Sequence, residues 1–187
     1  MEIGIIGSGN IGGALARHLT TLGHRVSVAN SRGPASLRQL AAETGASAVT
    51  VEQAARAKDV VIVTIPQKAV TQLPSEILAE SSAIVVDTGN YYPSRDGRIE
   101  EIEGGMAESE WVATVLGRPV VKAFNNIVAP SLASHAVPAG TPGRICLSVV
   151  GDDEKAKGVL MALIDAIGFD GIDAGSLADS WRQQPGT

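Results

Sequence analysis

The strongest constraint on this chain lies in its first dozen residues. An apolar run, Ile3-Gly4-Ile5-Ile6, ends in glycines spaced Gly7-x-Gly9-x-x-Gly12, with Ser8, Asn10 and Ile11 between them. A helix-forming stretch, Ala14 to Leu22, follows at once. With 21 glycines in 187 residues, the spacing alone carries little information. A strand before and a helix after make it the fingerprint of a dinucleotide site. Gly7 lets the chain turn tightly out of the strand. Gly9 removes a side chain where backbone must approach a pyrophosphate, and Gly12 allows close helix–strand packing. The helix start adds free N–H groups and a positive dipole end.

The rest of the chain repeats that unit. Apolar strands are expected at Glu2 to Gly7, Arg25 to Asn30, Ala46 to Thr50, Asp59 to Ile65, Ser82 to Thr88 and Pro119 to Phe124. Helical stretches separate them: Asn10 to Leu22, Leu37 to Thr44, Val51 to Ala57, Gln67 to Glu80 (broken near Pro74) and Glu108 to Leu116. Gly89 to Gly97 reads as irregular. This alternation predicts an α/β fold, a Rossmann-type doubly wound and mainly parallel sheet with right-handed crossovers. The texture changes after Ala129, where Pro130, Pro138, Gly140, Pro142 and Gly143 crowd what reads as one loop. A strand (Arg144 to Val150), a helix (Asp152 to Ile167) and a short strand (Phe169 to Ala174) follow. We therefore expect a nucleotide-binding domain over residues 1–128. A small α/β extension over 129–187 should pack on the same sheet and complete the cleft. The last residues, Arg182 to Thr187, show no packing pattern.

Composition narrows the partners. Hydrophobic residues make up 44% of the chain but aromatics only 3%, so Ala, Val, Ile and Leu must build the core, as in buried parallel strands. The net charge of −5, with no Lys/Arg cluster, argues against nucleic acid or an anionic membrane. No apolar run approaches the roughly 20 residues of a membrane helix, and no signal-peptide pattern precedes the first strand. One cysteine, Cys146, excludes an internal disulfide, and His18, His24 and His135 show no metal spacing. A cytoplasmic protein is expected. Cys146 alternates within an apolar strand and reads as a small core residue.

The end of the second strand points to one dinucleotide. NAD sites place a carboxylate there for the ribose 2′-hydroxyl. This chain has Asn30-Ser31-Arg32 instead. A hydroxyl and a permanently charged guanidinium suit a 2′-phosphate, so NADP(H) is favoured. The carboxyl ends of the other strands carry further candidates. Ile65 and Pro66 can pack on the ribose or nicotinamide. Asn90 and Tyr91 are placed to line an acceptor. Asn125 can bond the carboxamide or an acceptor carbonyl. Lys122, unusual within an apolar strand, can pair with Asp87 or face solvent.

Gly7-Ser8-Gly9-Asn10-Ile11-Gly12, Asn30-Ser31-Arg32 and Val120-Val121-Lys122-Ala123-Phe124-Asn125-Asn126 together resemble the coenzyme F420-dependent NADP oxidoreductases. The nucleotide-binding module is also similar to that of the STEAP metalloreductases. The resemblance implies NADP(H) as cofactor and direct hydride transfer to a flat deazaflavin (F420) or flavin-type acceptor, with no acid or base needed. It implies a small-molecule acceptor and a homodimer. Family chains commonly continue with further helix past the point where this one stops. Two other readings compete: an NADP-binding sensor without turnover, and a short relative of the β-hydroxyacid or pyrroline-carboxylate reductases.

Overall fold

The computed structural model covers residues 1–187. Its centre is a six-stranded parallel sheet: β1 (Glu2–Ile6), β2 (Arg25–Ala29), β3 (Ser47–Ala48), β4 (Val60–Val63), β5 (Ile84–Asp87) and β6 (Val121–Lys122). The strand order is β3-β2-β1-β4-β5-β6, the Rossmann arrangement. Chain direction across the sheet therefore reverses between β1 and β4, which opens a crevice at their carboxyl ends. Ile6 stands level with Ala29 on one side and Val63 on the other, so the three central strands end together.

Both faces of the sheet are covered, which is why the strands read as unbroken apolar runs. Ile3, Ile5, Val28, Val60 and Ile62 point to one face. There they meet α1 (Asn10–Thr21), α8 (Ala129–Ser134) and α9 (Glu154–Ile167) through Leu15, Leu132 and Leu160. Ile6, Ala29, Val61 and Val63 point to the other. They meet α3 (Val51–Ala55), α4 (Ser75–Glu80) and α7 (Glu108–Leu116) through Ala54, Leu78 and Trp111.

Helix α2 (Arg38–Thr44) follows a 3-10 turn, Pro34–Leu37. The expected break near Pro74 separates a 3-10 segment, Gln67–Gln72, from α4. The loop after β5 carries two single-turn helices, α5 (Pro93–Asp96) and α6 (Glu100–Glu103).

Four features depart from the sequence reading. The Pro-rich stretch after Ala129 opens with α8, not a loop. Pro130 sits in its first turn, where no backbone N–H is needed, and Leu132 is buried against the sheet. The extension packs on the main sheet through α8 and α9, but its strands do not join it: β7 (Cys146–Val149) and β8 (Asp170–Asp173) form their own parallel pair. An antiparallel bridge, Lys122 to Val150, joins the two sheets. Cys146 is exposed, because Leu147 and Val149 take the inward positions of β7. The tail forms a 3-10 segment, Leu177–Gln183, with Leu177 and Ser180 buried.

Gly4 sits where β1 passes under α3. A Cβ there would lie 2.0 Å from the Ala54 carbonyl oxygen and 3.1 Å from the Ala57 methyl. Gly4→Ala, which touches no cleft residue, should cost about 1–3 kcal/mol of stability through overpacking, read as a lower urea midpoint.

Candidate functional site

The β1–α1 turn is shaped by contacts that exclude side chains. Gly7 has φ +121, and a Cβ on it would fall 2.0 Å from the Thr64 carbonyl oxygen just past β4. A Cβ on Gly12 would fall 2.1 Å from the Gly7 carbonyl oxygen and 2.9 Å from the Thr64 methyl. Turn, helix and neighbouring strand therefore meet backbone to backbone. Gly9 is different: a Cβ would meet nothing within 4 Å. Its missing side chain leaves open space at the N-cap of α1, where no side chain caps the helix. The N–H groups of Asn10, Ile11 and Gly12 find no partner within the chain. Open space against unclaimed donors at a helix start fits a phosphate.

At the end of β2, Asn30 ties the site together. Its Nδ2 donates to Ser8 Oγ at 3.0 Å and to Ser36 Oγ at 3.0 Å, while its Oδ1 accepts from the Arg32 N–H at 2.9 Å. Asn30 thus holds the glycine turn against the loop that carries Ser31 and Arg32. Both of those are exposed, and the Arg32 guanidinium has no carboxylate partner.

These parts line one cleft of about 740 Å³. Gly7, Ser8, Gly9, Asn30, Ser31, Arg32, Ile65 and Pro66 lie in its wall. Asn10 borders a smaller groove between α1 and α8. Gly12 is buried in the turn, and the Ile11 side chain packs toward the core. No residue of the extension lines the cleft.

Asn90, Tyr91 and Asn125 lie elsewhere on the sheet edge. Asn125 is buried, and its Nδ2 donates to Asn90 Oδ1 at 3.1 Å and to the Gln183 carbonyl at 2.7 Å. Asn90 Nδ2 returns a bond to the Asn125 carbonyl at 2.9 Å. Phe124, the one non-glycine residue at positive φ, makes the turn that leads into this contact. The Tyr91 hydroxyl is spent within its own loop. It donates toward Gly97 O and Glu103 Oε1 and accepts from the Ile99 N–H, at 2.9–3.1 Å. Burial raises its pKa.

Beneath these loops lies a buried charge cluster. Lys122 is fully enclosed, with Nζ 3.1 Å from Asp87 Oδ2 and 3.7 Å from Glu108 Oε2, and it also donates to the Gly89 carbonyl. Ser109 Oγ donates to Asp87 at 2.8 Å. The lysine out of place in an apolar strand was the visible sign of this cluster. Three buried or bonded residues of this region gave no such sign. Gln67, immediately after Pro66, is fully buried with neither amide atom bonded. Glu108 looked like an ordinary first-turn acid. Gln183 lies in the tail that showed no pattern.

With the site described, the comparisons with known proteins can be placed on it. The family described as NADP oxidoreductase, coenzyme F420-dependent, matches residues 2–91. The nucleotide-binding part of the chain is similar to that family. The matched stretch holds the glycine turn, Ser31-Arg32 and the ends of β4 and β5. Over its whole length the chain is 36% identical to the hypothetical protein SMa0349 of Sinorhizobium meliloti, covering 91% of that structure at a TM-score of 0.81. A protein of Arthrobacter sp. FB24, provisionally assigned as an F420-dependent NADP-reductase, shares the fold at a TM-score of 0.79 and 24% identity, over 97% of this chain and 88% of that one. The metalloreductase STEAP3 of Rattus norvegicus is 29% identical over 180 residues, which is 96% of this chain and 35% of that protein. The chain spans less than half the length of the curated relatives it matches. No helix in it is long and apolar enough to cross a membrane.

Burial is the largest influence on Glu108 and raises its carboxyl pKa, although Lys122 opposes the shift. The folded protein then holds the proton more tightly than the unfolded chain. The penalty is absent below the ordinary value of 4.5 and grows as pH rises toward the folded value. Denaturation of Glu108→Gln beside the wild type should therefore show a stability difference that shifts in favour of the variant from pH 4 to pH 7.

Proposed function

We propose that the chain is an NADP(H)-dependent oxidoreductase that exchanges a hydride between the nicotinamide and a deazaflavin (F420) or flavin-type acceptor. The observation that carries the nucleotide assignment is the pairing of two features in one cleft. One is the open, uncapped helix start at Gly9; the other is Arg32 with no counter-ion, at the place where an NAD site has a carboxylate. The residues fit the cofactor. The Gly7–Gly12 turn would hold the pyrophosphate, with Ser31 and Arg32 on the 2′-phosphate. Ile65 and Pro66 would offer an apolar wall toward the nicotinamide. When bound, the dinucleotide supplies the carbon that gives or takes the hydride. The chain's own work is orientation and exclusion of water; no side chain need move a proton to the nicotinamide. The F420 family match supports the acceptor class. The same reading proposes a cytoplasmic homodimer acting on a small molecule, with the family likeness as its support.

One observation favours a second reading, an NADP-binding module without turnover. The residues expected to face an acceptor, Asn90 and Asn125, bond to each other, and Asn125 also donates to the chain's own Gln183. Mixing protein, NADPH and oxidised F420 while following deazaflavin absorbance separates the two. Bleaching supports hydride transfer to F420, and its absence at high protein overturns F420 as acceptor. Tight NADPH binding with no turnover against F420, flavins or quinones would establish the second reading. Arg32→Ala should weaken NADPH by about 1.5–3 kcal/mol, the range for a hydrogen bond to a charged group, and leave NADH nearly unchanged. Fluorescence titration of both cofactors checks this, and equal loss for both would remove Arg32 from the 2′-phosphate.

A further inference from the structure

The cleft has an end that the phosphate contacts do not use. Beyond Arg32 its wall is built by Val51 and Glu52, at the start of α3, and by Leu73 and Pro74, at the break before α4. Val51, Leu73 and Pro74 offer apolar faces suited to a flat base. Glu52 brings a negative charge into a cleft otherwise suited to anions. Glu52 and Arg32 line the same space, yet neither forms an ion pair with the other or with any further residue. Neither charge is neutralised by a counter-ion within the chain.

The helix start that carries Glu52 is capped. Thr50 and Gln53 form a reciprocal capping box, with the Thr50 N–H donating to Gln53 Oε1 at 2.9 Å and the Gln53 N–H to Thr50 Oγ1 at 3.3 Å. The Glu52 carboxyl is held below the ordinary range by its own backbone N–H and the Thr50 hydroxyl. It is therefore charged at neutral pH and can only accept hydrogen bonds. A carboxylate costs affinity beside a phosphate, so its place in this cleft calls for a donor on the ligand. Adenine carries one at its edge, the exocyclic amine at position 6.

Resting on the NADP(H) reading, we infer that Glu52 is a specificity-determining residue. It reads position 6 of the purine, accepting a hydrogen bond from an amine and repelling a carbonyl. The base lies between the apolar side chains while Arg32 takes the 2′-phosphate of the same nucleoside.

The test compares reduced NADP with its hypoxanthine analogue, which carries a carbonyl in place of the amine. Both are titrated by nicotinamide fluorescence into wild type, Glu52→Gln and Glu52→Ala. Wild type should prefer the adenine cofactor by about tenfold or more, the size of one charge-assisted hydrogen bond. Glu52→Gln should cut the preference to within about threefold, because an amide can donate to the carbonyl. Glu52→Ala should do the same, with unchanged thermal unfolding showing that both variants fold. A wild-type ratio near one overturns the assignment, as does a ratio that survives in Glu52→Gln; either result means that Glu52 serves only the first turn of α3. Those outcomes leave the NADP(H) reading standing if NADPH itself binds. If the wild type does not bind NADPH, both fall together.

Discussion

The structure depends on one contact made without side chains. Gly7, Gly12 and Thr64 bring the end of β1, the start of α1 and the end of β4 to a distance at which any Cβ would overlap a carbonyl oxygen. Protein interiors are packed too tightly to absorb a 2 Å clash without moving backbone. The order of the central strands, their level ends and the aim of the helix start are thus coupled. The open space at Gly9 is useful only because Gly7 and Gly12 fix what surrounds it. A dinucleotide cleft follows from the geometry of three backbones, and the side chains around it refine which dinucleotide enters.

The two halves of the sheet edge handle charge in opposite ways. On the β2 side, Arg32 is exposed and forms no ion pair with a carboxylate, so its donors remain available. On the β5–β6 side, Lys122 is enclosed and surrounded by Asp87, Glu108 and the Gly89 carbonyl. Burying a charge is tolerable only with such compensation, and removing one partner of a buried pair is strongly destabilising. The first arrangement keeps a cation ready for a ligand. The second uses one to fix the loop after β5, whose Gly89 N–H and carbonyl are both tied into the cluster. Composition alone cannot separate these roles; burial and partners can.

The fold was legible where periodicity is strong. The apolar runs at β1, β4 and β5 and the helix α7 read directly, because a strand buried on both faces has little freedom in composition. The nucleotide half of the site was legible because glycine sterics and a missing carboxylate are positional signals. The rest was lost for identifiable reasons. Pro130 suppressed the reading of α8, although proline is well placed in a first helical turn. Cys146 was given the wrong face, since a one-residue change of phase in a short strand inverts every side chain. The tail segment Leu177–Gln183 has no periodic apolar stripe and is held instead by amide and backbone hydrogen bonds. Glu52 carries no positional signal, because an acid in a first helical turn is ordinary. Only the cleft shows that it lines the same space as Arg32.

That contrast bears on the acceptor side. The glycine turn is shaped by backbone geometry, which leaves few residue choices and a readable code. The region of Asn90, Asn125 and Gln183 is held by amide groups, each both donor and acceptor, so many residue combinations satisfy the same bonds. The family match ends at residue 91, before β6 and the tail that seals this region. The Asn125 Oδ1 and Gln183 Nε2 atoms there are buried without partners, which carries a cost in a dry interior. A ligand polar enough to pair with them would recover that cost, whereas the Asn125–Gln183 bond beside them is already satisfied within the chain.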